Sequence, residues 1–283
     1  MTNALEPEIT EHSHAHGAWQ LWRWGPPAGD QCTESLVLLH AAASHPQTFQ
    51  RLVGHLLAKG REILAPALNG YGTSQVAHAL GPVARHVAIA KAALDATTQP
   101  ARTSLFGHSM GGLVALLTAL EAPALERLVL YDPIVTGILD PKNPAHRAGL
   151  EWDRAIIRAL CEGVEGDAPE VGVARFVEAW NEARWAELPT AIRETLVSKA
   201  PALALDAPAV SYFEFEPVRL ATLQMQTTVA YGERSPEIIA LIARQLAARH
   251  PGFVSAKALA DCGHMAPIAQ PAKVASVLAG ALR

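Results

Sequence analysis

The sequence of 283 residues has little of what marks secreted or membrane-bound chains. Its three cysteines, Cys32, Cys161 and Cys262, are scattered and odd in number, which favours a reducing compartment over a disulfide framework. No uninterrupted apolar run reaches the roughly 18 residues of a membrane span. The acidic start of the chain also lacks the apolar run of about 7–15 residues that a signal peptide needs. We therefore expect a cytoplasmic protein that does not enter a membrane.

The sequence also has no excess of positive charge and no motif for a bound cofactor. Its formal net charge is −4, so we expect no nucleic-acid partner. The phosphate-binding glycine patterns and the usual zinc patterns are absent, so we expect no nucleotide, metal or other cofactor. His12, His14 and His16 alternate as metal ligands can, but residues 1–16 look like a flexible polar tail. A small-molecule substrate is the expected partner, and the sequence carries no indication of oligomeric state.

Strand and helix patterns alternate from about residue 19 to residue 133. Runs such as "SLVLLH", "TSLFGHS" and "LERLVLYDP" are typical of strands buried on both faces, and segments with helical spacing separate them. This alternation predicts an α/β protein with a mainly parallel sheet and helices on both faces. Residues 137–215 show only helical patterns, and the alternation then resumes. We therefore expect one α/β core, residues 17–136 and 216–283, with a helical insertion at 137–215.

The stretch "GHSMGG" predicts a nucleophile. Gly107, Ser109 and Gly111 fit the pattern G-x-S-x-G between a predicted strand and a predicted helix. A sharp turn there forces the serine into a strained conformation and crowds its neighbours, which glycine relieves. Ser109 would also lie at a helix N-terminus, where partial positive charge favours a developing anion. His108 should point away from the site and serve the structure.

At this point the chain resembles the α/β-hydrolase fold superfamily. The resemblance covers residue 19 to the end and rests on "VLLH", "LNGYGTS", "GHSMGG" and "CGHMAPIAQP" in that order. The stretches "LYDPIV", "FVEAWNEARWAELP", "GERSPEII" and "GHMAPI" look similar to a bacterial group of such proteins with little assigned chemistry. The resemblance implies the α/β-hydrolase fold, a helical cap over the site and a serine-hydrolase mechanism, but no substrate.

The expected base is His264, which follows the last predicted strand in a glycine-containing loop. An imidazole titrates near neutrality, so it can take and return the proton of Ser109. The oxyanion needs backbone N–H donors, one of them from Met110 directly after the nucleophile. The second is expected from Ala41 or Ala42, where many relatives have His-Gly. The missing glycine narrows the backbone angles available to this loop.

The acid that orients His264 has several candidates. The usual G-x-x-D of this superfamily is absent, because Ser235 stands third after Gly232. Asp132 ends the strand after the nucleophile helix, where some related hydrolases carry the acid, and is preferred. The resembled group pairs Tyr-Asp-Pro or Tyr-Glu-Pro there with Ser-Pro at the usual acid position. Ser235 is then expected to cap the following helix.

Other sources of the acid stay open. Glu233 lies in the usual loop but two residues from the standard position. Asp140 or Glu214 of the insertion could fold over the site, and the protein could also work as a Ser–His dyad or be inactive.

The expected pocket is lined by the loop after "VLLH" and by aromatic residues of the insertion, although such residues usually serve packing. The candidates are His40, Ser44, His45, Trp152, Phe176, Trp180 and Trp185. The leading hypothesis is a carboxylic-ester hydrolase acting on a small, mainly apolar molecule through an acyl-enzyme. Cleavage of C–C bonds, lactones or thioesters, acyl transfer and a catalytically silent receptor remain alternatives.

Overall fold

The computed structural model describes residues 5–14, 17–26, 32–76, 80–122, 124–252 and 254–281, and a nine-stranded sheet forms the centre of this part of the chain. The strands are β1 (Glu8–His14), β2 (Gly17–Trp24), β3 (Glu34–Leu39), β4 (Arg61–Pro66), β5 (Gln75–Val76), β6 (Thr103–His108), β7 (Arg127–Tyr131), β8 (Gln226–Gly232) and β9 (Val254–Leu259). Their order is β1-β2-β4-β3-β6-β7-β8-β9, and β5 pairs with β2. Strands β3, β4 and β6 to β9 pair in parallel, which confirms the predicted α/β class.

Helices cover both faces of this sheet. They are α1 (Gln50–Leu56), α2 (Pro82–Asp95), α3 (Met110–Glu121), α4 (Pro144–Glu165), α5 (Pro169–Trp180), α6 (Thr190–Ser198), α7 (Ala200–Ser211), α8 (Glu237–Arg249), α9 (Ala266–Ala269) and α10 (Pro271–Ala281). Alternate residues of β3 enter different cores: Val37 packs with α2, α3 and α8, and Leu38 packs with α1 and α10. This explains why the central strands are continuous apolar runs in the sequence.

The segment between β7 and β8 contains helices α4 to α7 and no strand, as its sequence pattern predicts. The helix ends differ from the prediction. Helix α5 ends at Trp180, so "NEARWAEL" does not continue it, and the last predicted helix is divided at Lys199 into α6 and α7. Pro201 explains the division, because proline lacks the N–H that a helix interior needs and is tolerated in a first turn. We call residues 137–215, which contain α4 to α7, the helical insertion.

The expected flexible tail is wrong for residues 8–14. They form β1, which pairs with β2 from Glu8 opposite Arg23 to His14 opposite Gly17. The ring of His12 stacks on Trp19 with centroids 4.7 Å apart. Backbone pairing with β2 holds this polar edge strand, so its sequence lacks the apolar run from which a strand is predicted. Residues 1–4 and His16 lie outside the described residues.

In the described part of the chain, no helix is long and apolar enough to cross a membrane. In the same ranges, no group of three or more His, Cys, Asp and Glu side chains is placed to hold a metal ion.

Candidate active site

Ser109 occupies a sharp turn between β6, which ends at His108, and α3, which begins at Met110. Its φ of 58° and ψ of −120° are strained for a residue with a side chain. A Cβ at position 107 would lie 2.2 Å from the Gly111 carbonyl oxygen, and one at position 111 would lie 2.4 Å from that of Leu39. A side chain at either position would therefore clash with the backbone, which is why the sequence has glycine at both.

A chain of hydrogen bonds joins three side chains from different strand ends. Ser109 Oγ lies 3.0 Å from His264 Nε2, and His264 Nδ1 lies 2.9 Å from Asp132 Oδ2. A carboxylate only accepts hydrogen bonds, so Nδ1 carries the ring proton and Nε2 can accept from the serine hydroxyl. Asp132 is fully buried, and His264 and Ser109 are 4% and 8% exposed. His264 follows β9, Asp132 follows β7 and Ser109 follows β6. All three lie at the carboxyl edge of the parallel sheet, where catalytic groups gather in such folds.

Two further donors fix the Asp132 carboxylate. The backbone N–H of Gly232 donates to Oδ1 at 3.0 Å, and the hydroxyl of Ser235 donates to Oδ2 at 2.5 Å. The expected role of Ser235 as a helix cap is wrong, because α8 begins at Glu237 and Pro236 precedes it without a side-chain cap. The residue at the usual acid position thus contacts the acid on the neighbouring strand. The sequence signal for this contact is Ser235 in "GERS", at the usual position of the acid, and a helix cap is the wrong interpretation of it.

The alternative acids lie elsewhere. Glu233 is exposed, and its backbone N–H donates to the Leu259 carbonyl at 3.1 Å, while His264 Nδ1 is bonded to Asp132. Asp140 and Glu214 are exposed on the insertion.

The loop that carries His264 is anchored from the sheet below. His108 Nε2 donates to the backbone oxygen of His264 at 2.8 Å, and the Tyr131 hydroxyl donates to that of Gly263 at 2.9 Å. Burial lowers the pKa of His108 well below its usual value, so this imidazole stays neutral. His108 therefore has the structural role that the sequence predicts, but it does not point away from the site, since its ring lies 5.1 Å from that of His264. Tyr131 is an anchor that sequence reasoning missed.

Of the expected oxyanion donors, the two alanines border the same cavity as Ser109, and Met110 directly follows Ser109 in the chain. Met110 is the first residue of α3, so its N–H has no partner within the helix. Ala41 and Ala42 line the cavity beside Ser109. Ala43 next to them has a φ of 54°, and with Ser109 and Asp132 it is one of three non-glycine residues with positive φ at this site. Such strain is concentrated at functional sites.

His40 lies beneath this loop and does not line the cavity, contrary to expectation. It is fully buried, donates from Nδ1 to the Ala41 carbonyl at 2.8 Å, and accepts at Nε2 from the Leu68 N–H at 3.0 Å. Burial lowers the pKa of His40 to about 3, which keeps the ring in the neutral form that these two bonds require. His40 thus supports the backbone of Ala41.

A cavity of about 670 Å³ lies over Ser109, between the core and the insertion. Ser44, Phe176 and Trp180 line it as the sequence predicts, and the Trp180 ring lies 4.9 Å from that of His264. Three other predicted pocket residues lie outside it: His45, Trp152 and Trp185. His45 packs on Trp22, Trp152 packs edge-on against Trp180, and Trp185 is buried in the insertion with its Nε1 donating to Glu170. These aromatic rings serve packing. Helical spacing in the sequence does not distinguish a packing residue from one that lines a pocket.

Charged side chains also reach this cavity, and sequence reasoning missed them. Glu182 and Arg234 form an ion pair of 2.8 Å between the insertion and the loop before α8. The ammonium of Lys199 donates to the carbonyl oxygens of Ala43 and Ser44 at 3.1 and 3.2 Å. They line the cavity together with mostly apolar residues.

A mainly parallel sheet with a serine at a strained strand-to-helix turn is the architecture of the α/β hydrolases. The model of the alpha/beta hydrolase family matches residues 36–277, and the chain belongs to that family.

Known proteins resemble this chain locally in sequence and along nearly its whole length in fold. N-formylmaleamate deformylase of Pseudomonas putida is 38% identical over 79 residues, which are 28% of this chain and 27% of that protein. The carboxylesterase CesB of Bacillus subtilis superposes with a TM-score of 0.73 at 18% identity and covers 98% of this chain and 92% of its own. A thermophilic esterase from Thermogutta terrifontis gives 0.70 at 20% identity, with 97% of both chains covered. At these identities the two structures establish the fold alone.

Proposed function

We propose that the protein is a serine hydrolase that cleaves a carboxylic ester of a small, mainly apolar molecule. The hydrogen-bonded chain from Ser109 through His264 to Asp132 carries this proposal. Family membership and the esterase and deformylase names of similar proteins support a hydrolase in the broader sense.

In the proposed mechanism, Ser109 Oγ attacks the ester carbonyl while His264 Nε2 takes its proton. Asp132 holds the imidazole in the required tautomer and stabilises the imidazolium that forms. The N–H groups of Met110 and of Ala41 or Ala42 hold the oxyanion. His264 returns the proton to the leaving alcohol and then activates water, which releases the acyl group from Ser109. The helical insertion acts as the cap that covers the acyl-enzyme.

A fluorophosphonate probe tests the nucleophile, since it phosphonylates an activated serine. Intact-mass and peptide mass spectrometry should find one adduct on Ser109, and Ser109→Ala should prevent it. A panel of p-nitrophenyl esters of increasing chain length then measures kcat/KM and the apolar capacity of the cavity. Folded protein that forms no adduct and cleaves no ester would favour the rival function, a silent receptor that binds its ligand in the same cavity.

A further inference from the structure

Lys199 gives the cavity over Ser109 a positive charge that no other charged side chain of its lining neutralises. The charged side chains of Glu182, Arg234 and Lys199 line this cavity. Glu182 and Arg234 neutralise each other in their ion pair. The Nζ partners that the structure gives Lys199 are the neutral carbonyls of Ala43 and Ser44, and no carboxylate is among them. The three side chains therefore give the cavity a net charge of +1.

The surroundings of Lys199 make this charge costly. The side chain is half-buried, and desolvation lowers its pKa below the usual value for lysine. A desolvated cation is stabilised by an anionic partner much more than by neutral dipoles. An ammonium group has three donors, and two of them are used by Ala43 and Ser44. One donor remains for a ligand in a cavity that otherwise offers mostly apolar contacts.

We infer that the substrate of the proposed hydrolase carries a carboxylate, and that Lys199 binds it. This inference deepens the proposed function and rests on it. The position of Lys199 also limits where the carboxylate lies. Its carbonyl partners belong to Ala43 and Ser44, which directly follow the candidate oxyanion donors Ala41 and Ala42. Consecutive Cα atoms are about 3.8 Å apart, so the Cα atoms of Ala41 and Ser44 are at most roughly 11 Å apart. The carboxylate and the ester carbonyl therefore bind beside the same short loop.

The test compares esters that differ in one charge. Monoethyl glutarate and its neutral amide counterpart, ethyl glutaramate, place the group on the acyl side. The pair 3-acetoxybenzoate and 3-acetoxybenzamide places it on the leaving-group side. Acid release in a pH-stat gives kcat/KM for each. In at least one pair, the wild type should prefer the carboxylate by about tenfold or more, as expected for a charge-assisted hydrogen bond. Added salt should reduce that preference.

Lys199→Gln should reduce this preference to within about twofold, and Lys199→Arg should keep most of it, since the charge remains. Lys142→Gln is the matched control, because Lys142 is exposed on the insertion and outside the cavity, and it should leave the preference unchanged. If Lys199 only supports the Ala43–Ser44 loop, Lys199→Gln will slow both members of each pair equally. That result would overturn the inference. A wild type that shows no preference in either pair would also overturn the inference. That measurement does not depend on the folding of any variant.

Binding separates this inference from the proposed function. Ser109→Ala cannot form an acyl-enzyme, and calorimetry on it measures affinity for the same esters without hydrolysis. Absence of a fluorophosphonate adduct and of turnover would refute the serine hydrolase. Tighter binding of the carboxylate ester, lost on adding Lys199→Gln, would still support the anion site. Equal affinity for charged and neutral esters would refute the anion site alone.

Discussion

Asp132 combines the features expected of a residue that orients a catalytic imidazole. Its side chain is fully buried, and its φ of 46° is strained for an aspartate. Three donors converge on its two oxygens: Gly232 N–H, Ser235 Oγ and His264 Nδ1. These contacts fix the position of the carboxylate relative to the imidazole.

Replacement of Asp132 by asparagine should therefore lower kcat by roughly 10³–10⁴, since the imidazole is then held in the wrong tautomer. Steady-state kinetics on a p-nitrophenyl ester measures the loss. Glu233→Gln is the control and should stay within about twofold of wild type, because Glu233 is exposed and His264 is bonded to Asp132. Near-full activity in Asp132→Asn would show that another residue orients the histidine.

Ser235→Ala should lower kcat moderately. Without the hydroxyl at 2.5 Å, the Asp132 carboxylate loses one of its three donors and is held less firmly against His264. We expect kcat to fall by about tenfold or less, as for the loss of one hydrogen bond, and steady-state kinetics on a p-nitrophenyl ester measures it. Ser255→Ala, on an exposed part of β9, is the matched control. An unchanged kcat in Ser235→Ala would mean that Ser235 only packs against the site.

At the scale of elements, sequence predicts best where burial alone decides the structure. The central strands are apolar runs because both of their faces are covered, and the turn at Ser109 has a pattern set by steric contact. Strand β1 is missed because pairing with β2 holds its polar residues. The division at Lys199 depends on Pro201, and this division brings the lysine to the cavity. Pocket residues are predicted only partly. Phe176 and Trp185 lie in one predicted helix, but α5 ends at Trp180 and only Phe176 lines the cavity.

The ends of β6 and β7 also position the loop after β9, and Tyr131→Phe tests this support. The change leaves the buried Gly263 carbonyl without its donor at 2.9 Å. The expected loss is about 1–3 kcal/mol in the free energy of unfolding, measured by urea denaturation. The proposed base follows Gly263 directly, so kcat should fall as well. Tyr212→Phe on the exposed surface should change neither quantity. Unchanged stability and kcat in Tyr131→Phe would show that His108 alone anchors the loop.

At the scale of the whole molecule, a buried polar pair joins the insertion to the core. His86 Nε2 on α2 lies 3.1 Å from Asp206 Oδ1 on α7, and the two side chains are 0% and 2% exposed. Moving the insertion away from α2 would break this contact and expose apolar side chains that the two parts bury together, Ile89 and Val210 among them, which costs free energy. The contact between α2 and α7 therefore favours an insertion that stays packed on the core.

Asp206→Leu should uncouple the two parts, because it leaves the His86 ring without its charged partner at a buried position. We expect a loss of about 1–3 kcal/mol of stability, with the loss concentrated in the insertion. Hydrogen exchange followed by mass spectrometry should show faster exchange in peptides of α7 than in wild type, with β6 and β7 still protected. Asp95→Leu, exposed on α2, controls for the loss of an aspartate. Equal loss of protection in α7 and in β6 would mean that the insertion and the core open as one unit. The His86–Asp206 pair would then stabilise the whole molecule and not specifically the contact between insertion and core.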